Sequence, residues 1–193
     1  MIVTLCNQKG GSGKTTVTLL LALALESIGH TVRIVDRDGQ RTASRAIDNL
    51  RREGLSIVEC AAQPNRDPQT VTLIDTAPKL DAALSKSVAE SDRVILISSP
   101  SPADLWSTQD SREYVTRSLK PDAKCAILFN SVVRGSRISR DLPGLARMIG
   151  LPALKNNLVR RQPYQHAILF GWPALAPSER DEVKSVVLEI SMM

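Results

Sequence analysis

Eight consecutive residues near the N-terminus, KGGSGKTT from Lys9 to Thr16, have the composition of a phosphate cradle. Gly10, Gly11 and Gly13 let the backbone curl so that successive N–H groups, Ser12's among them, face phosphate oxygens. A helix opening at Lys14 adds the positive end of its dipole. In such a loop the Lys14 ammonium reaches the β- and γ-phosphates, the Thr15 hydroxyl ligates Mg²⁺, and Thr16 closes the run. A glycine-rich turn alone would not need the Gly-Lys-Thr ending between a strand and a helix. Downstream, three carboxylates stand at or just past the ends of apolar runs, Asp36 and Asp38 in VDRDGQ and Asp75 in LIDTAP.

These residues need a scaffold that brings several strand ends to one place. Apolar runs read as strands at Ile2–Cys6, Thr31–Val35, Leu55–Cys60, Val71–Ile74, Arg93–Ile97 and Lys124–Asn130. Helical patterns fall at 14–29, 40–54, 79–90, 105–119 and 137–150, with a last helix from about Pro177 to Ile190. Gly29 is placed as a helix stop, and Ser98–Asp104 reads as a Pro/Ser loop. Strands without polar alternation, interleaved with helices, make an α/β fold: a mostly parallel sheet with helices on both faces. The ten residues between Cys60 and Val71 carry no helical pattern, so Leu55–Cys60 is expected at the edge, paired irregularly.

The 193 residues suit a single domain, 1–193, with no linker or repeat. The longest apolar stretch, Val17 to Leu25, is far short of the roughly 20 residues that span a bilayer. No leader precedes the first strand, which points to the cytoplasm. Cys6, Cys60 and Cys125 lack metal-site spacing and read as buried reduced thiols. The net charge of +5 is uneven: residues 112–161 hold eleven Lys/Arg against three Asp/Glu, or +8, leaving −3 elsewhere. A one-sided basic surface favours a polyanionic partner.

With Lys9 ahead of Lys14, the loop K-G-G-x-G-K-T-T resembles the deviant phosphate loop of the ParA/MinD branch of P-loop ATPases. The resemblance implies a P-loop NTPase fold, ATP or ADP with Mg²⁺ as cofactors, and a homodimer that sandwiches two ATP molecules. Lys9 then reaches the partner's nucleotide, and Lys9, Lys14 and Asp38 are the catalytic set. VDRDGQ stands where the family has D-x-D-P-Q: by that match Asp36 supports the Mg²⁺ shell and Asp38 positions the attacking water, with Gly39 replacing the usual proline. LIDTAP is similar to a Walker B strand whose Asp75 holds a Mg²⁺-bound water. Thr15, Asp36 and Asp75 form the metal set, and Asn130 occupies the place where relatives contact adenine. SSPSPADLW (98–106) resembles the loop near the family's dimer face, and RRQPYQHAILFGWP (160–173) its late R-x-x-Y/F…G-x-P segment.

The chain begins at the first strand and so resembles the small ParA type, without an N-terminal helix-turn-helix domain. Nitrogenase-type iron proteins need cluster cysteines at positions this chain does not offer, and dethiobiotin synthetase-type ligases lack the Lys9 pattern. The resemblance implies a plasmid or chromosome partition switch. It would be nucleoid-associated, bind DNA non-specifically in the ATP state and be stimulated by a ParB-like partner. Arg134, Arg137, Arg140, Arg160 and Arg161 are the candidate DNA contacts. The alternative is a MinD-like positioning ATPase acting on a membrane or protein cargo. No membrane contact is expected, because the tail SERDEVKSVVLEISMM lacks the basic polar face of a membrane-surface helix.

Overall fold

The computed structural model describes all 193 residues. Six parallel strands form one sheet in the order β3-β2-β4-β1-β5-β6. They are β1 (Ile2–Cys6), β2 (Thr31–Arg37), β3 (Glu59–Cys60), β4 (Thr70–Thr76), β5 (Arg93–Ser98) and β6 (Lys124–Phe129). The helices are α1 (Lys14–Ser27), α2 (Thr42–Arg52), α3 (Ala82–Glu90), α4 (Pro102–Ser118), α5 (Leu142–Ile149), α6 (Gln162–Phe170) and α7 (Pro177–Met192). Along β5, Ile95 and Ile97 join the core under α1 and α7, while Val94 and Leu96 join the one under α3, α4 and α5. Both faces are dry, which is why the strands read as unbroken apolar runs.

Helix α1 is apolar on nearly every side because it is enclosed. Val17 through Leu25 are all buried between the sheet and α7. No helix is long and apolar enough to cross a membrane. The last helix packs as expected from its sequence: Val183, Val186, Val187 and Ile190 are buried in the main core. Each such side chain contributes about 1.5–3 kcal/mol when fully buried.

Four local features differ from the sequence reading. Helix α4 begins at Pro102, inside the segment read as a loop; the Ser101 hydroxyl accepts from the Asp104 N–H, and Pro102 supplies a preset φ. Residues 137–150 are not one helix: a 3₁₀ turn (Ile138–Asp141) precedes α5, where the Asp141 carboxylate caps Gly144. Helix α6 lies in a stretch whose sequence shows no clear helical pattern. Strand β3 shrinks to two exposed residues, so Cys60 is exposed rather than buried. The absent crossover helix has a geometric reason. Cys60 is level with Ile34 of β2, and Thr70 with Thr31, only three residues back, so a short loop makes the return.

Candidate functional site

The parallel order brings the C-terminal ends of β1, β2 and β4 side by side, the usual place for a ligand in an open α/β sheet. β1 delivers the glycine-rich loop, β2 delivers Asp36 and Asp38, and β4 delivers Asp75, directly level with Asp36. Gly11 (φ 78°) and Gly13 (φ 91°) take left-handed conformations that side chains resist. A Cβ on Gly13 would also collide with Asn130 Nδ2.

A pocket of about 930 Å³ opens over the loop. Gly10, Gly11, Gly13, Lys14, Thr15, Thr16, Asp38 and Asn130 all line it, together with Arg137, Arg160, Arg161 and Tyr164. Lys14 is 6% exposed, and its ammonium donates to one acceptor, the Lys9 carbonyl at 3.0 Å, with no carboxylate within 4.0 Å. Burial draws its pKa down, against the pull of Asp75. The Ser12 hydroxyl, also buried, has no partner. A sequestered cation with spare donors, beside backbone free to curl, fits a polyphosphate.

The metal candidates converge as well. Thr15 Oγ1 donates to Asp75 Oδ2 at 2.7 Å, and Thr18 Oγ1 to Asp75 Oδ1 at 3.2 Å. Asp75 is fully buried, and burial pushes its carboxyl up to about 6, with Asp36 adding to the rise. A hydroxyl and a buried carboxylate in contact are a hard-oxygen pair suited to Mg²⁺ and its waters. Asp36 also organises the backbone around it. Its two oxygens accept from the Asp38 N–H at 3.0 Å and the Ser44 N–H at 2.9 Å, tying α2 to the acidic turn. Asp38 Oδ1 accepts from the Gln40 N–H at 2.9 Å, which fixes its carboxylate on the pocket wall.

Two of the expected site residues have partners within the chain. Asn130 spends its amide N–H on the Ser12 carbonyl, 3.0 Å away, and so braces the phosphate loop. Lys9 is not free: its ammonium pairs with Asp104 Oδ1 at 2.5 Å. Sequence reasoning missed Asp104, and also Asn7, whose side chain accepts from the Lys9 N–H and donates to the Ile97 carbonyl. The pairing of Asp104 with Lys9 and the anchoring of Asn7 on Ile97 span 95 and 90 positions, beyond the reach of local pattern. Among the candidate DNA arginines, Arg134 and Arg161 are engaged by Glu182 (3.4 and 3.3 Å), and Arg161 by Glu179 as well. Arg137 and Arg160 face the pocket, and Arg140 is exposed without a carboxylate partner.

Comparison with known proteins identifies the family and the fold. The model of the CobQ/CobB/MinD/ParA nucleotide binding domain matches residues 3–168. Maintenance of carboxysome distribution protein A of Halothiobacillus neapolitanus is 28% identical over 95% of this chain and 93% of its own. The septum site-determining protein MinD of Pyrococcus horikoshii, solved with Mg-ADP, superposes with a TM-score of 0.75 at 18% identity, over 98% of this chain and 95% of that one. The pNOB8 ParA, solved on nonspecific DNA, gives 0.69 at 14%, over 99% and 98%. At these identities the solved structures establish the fold, and the family match covers most of the chain. The chain belongs to the CobQ/CobB/MinD/ParA nucleotide-binding family, and it is an ATPase of the ParA/MinD kind that uses ATP with Mg²⁺.

Proposed function

We propose that this ATPase is a dimerising switch that positions a cargo, holding to DNA without sequence preference in its ATP state and letting go after hydrolysis. The observation that carries the reading is Lys9: a second lysine that opens a complete phosphate loop and is half-exposed at its rim. Lys14 and the loop amides bind the phosphates, with Ser12 and Thr16 in the same cradle. Thr15, Asp36 and Asp75 hold Mg²⁺, which when bound neutralises phosphate charge and orients the phosphate chain. Asp38 orients the water that attacks the terminal phosphate, a positioning role that leaves turnover slow until a partner protein completes the site. Asn130, which braces the loop through the Ser12 carbonyl, would also meet the adenine base.

The cargo has two readings. A plasmid or chromosome with a ParB-like partner is one. A protein assembly is the other, and the carboxysome-distribution relative, matched over nearly its whole length, favours it. Nucleoid association follows from DNA binding in either case. The test is co-sedimentation of the protein with random-sequence DNA or with anionic liposomes, each with ATP and with ADP. Pelleting with DNA only in ATP supports the reading; pelleting with liposomes and not with DNA contradicts it and moves the surface to a membrane.

A further inference from the structure

Arg37 stands between two carboxylates of the site and does not face it. Side chains alternate along β2, so Ile34 and Asp36 turn to the side of α1 and α2, while Val35 and Arg37 turn to the other. Arg37 is the last residue of β2, and its guanidinium reaches α3. One nitrogen donates to Ser87 Oγ at 2.8 Å and another to Glu90 Oε2 at 2.6 Å. The side chain is 14% exposed, and Ser87 is fully buried.

This face of β2 has little else to hold it. The crossover between β3 and β4 carries no helix, and Val35 packs in a small cluster of its own with Ile2 and Ile74, against Ala61. The turn beyond the strand is also loosely built. Gly39 takes no positive φ, donates no N–H hydrogen bond, and a side chain there would meet nothing within 4 Å. Geometry therefore does not demand glycine, and its presence only adds freedom to the turn that carries Asp38.

Arg37 does not act on the nucleotide directly. It is absent from the pocket wall, and Glu90 already takes up its charge. What it can do is set direction. Helix α3 follows the strand that ends in Asp75 and Thr76, and Asp81 caps its start. The Arg37 contacts thus tie the strand end bearing Asp36 and Asp38 to the helix that follows Asp75. A planar guanidinium suits such a tie, because its fork holds two partners at fixed angles. We propose that Arg37 is a positioning residue for hydrolysis: by clamping the end of β2 to α3, it fixes the direction in which Asp38 leaves the sheet. This rests on the reading of Asp38 as the residue that orients the attacking water.

The test is single-turnover hydrolysis of radiolabelled Mg-ATP by the full chain, with Mg-ATP affinity measured by calorimetry on the same proteins. Arg37→Ala should slow hydrolysis by about tenfold, while affinity stays within about twofold. Glu90→Ala, which breaks the tie from the helix side, should slow it by about threefold or more. On an Asp38→Ala background, adding Arg37→Ala should cost nothing further, because both changes remove the same function. An unchanged rate in either single variant overturns the proposal, as does a loss carried by affinity. An equal further loss on the Asp38→Ala background also overturns it, by making the tie merely structural. Failure of the clamp alone leaves Asp38→Ala slow; wild-type hydrolysis by Asp38→Ala would show that the reading of Asp38 had failed, and the proposal with it.

Discussion

Lys9 on the phosphate loop and Asp104 in the first turn of α4 form an ion pair within one chain, joining residues 95 positions apart. Burial works against charge on Asp104, but the Lys9 ammonium and the Ser101 and Ser99 hydroxyls outweigh it and hold the carboxyl below its ordinary range. A lysine that must reach a second subunit has first to leave this partner. Asp104→Asn keeps the acceptor for the hydroxyls and removes the charge. ATP-dependent dimerisation, followed by sedimentation velocity, should then begin at about fivefold lower protein concentration, the equivalent of roughly 1 kcal/mol for a part-exposed pair. An unchanged threshold would mean that the pair does not hold Lys9 back.

Lys14 makes a second prediction, in which stability and function move in opposite directions. Its buried ammonium has one protein acceptor, so the nucleotide-free chain bears a desolvation cost. Lys14→Met should stabilise the nucleotide-free chain by on the order of 1–2 kcal/mol and raise its melting temperature accordingly. It should also erase the further rise that Mg-ATP gives the wild-type chain. Calorimetry showing a less stable Lys14→Met protein would assign the ammonium a structural role.

The buried Asp75 carboxyl, pushed up to about 6, sets a pH dependence of definite sign. The folded chain binds this proton more tightly than the unfolded chain. Its contribution is therefore fully present below the ordinary carboxyl range and is lost as pH rises through about 6. Metal binding needs the carboxylate, so Mg²⁺-dependent nucleotide affinity should fall as pH drops below about 6. Asp75→Asn should flatten the stability profile between about pH 4 and about pH 6 relative to wild type and weaken the Mg²⁺ requirement. Parallel profiles in the two proteins, from denaturant titrations at several pH values, would contradict the assignment.

Arg134 and Arg161 give a fourth prediction, because Glu182 already occupies them. Arg140→Glu should lower DNA affinity and make the salt slope shallower by about 0.9 for each phosphate no longer neutralised. Arg134→Glu should change it little. Equal losses in the two variants, by anisotropy at several salt concentrations, would show that the ion pairs yield to DNA.

Much of the site could be read in the sequence because its parts are contiguous. The run Lys9 to Thr16 has the spacing of a phosphate site, Asp36, Asp38 and Asp75 were legible through the family resemblance, and alternating strands and helices forced their convergence. What escaped was whatever depends on distant partners. Asp104 pairs with Lys9, and Asn130 with Ser12, across about a hundred residues. The start of α4 was legible in principle: Ser101 followed by Pro102 and an acid at Asp104 is a helix-opening signature. Helix α6 was hidden because Pro163 reads as a loop residue until it is recognised as sitting in a first turn.

Multi-angle light scattering of the wild-type, Lys9→Ala and Asp38→Ala proteins, each with ATP and with ADP, tests the switch most directly. The wild-type chain should be a monomer in ADP and form a dimer in ATP that decays as ATP is consumed. Asp38→Ala should bind ATP and remain dimeric, its hydrolysis slowed by on the order of 10² or more. Lys9→Ala should bind ATP and stay monomeric. A Lys9→Ala protein that dimerises in ATP as the wild type does, or an Asp38→Ala dimer that decays at the wild-type rate, would contradict the account.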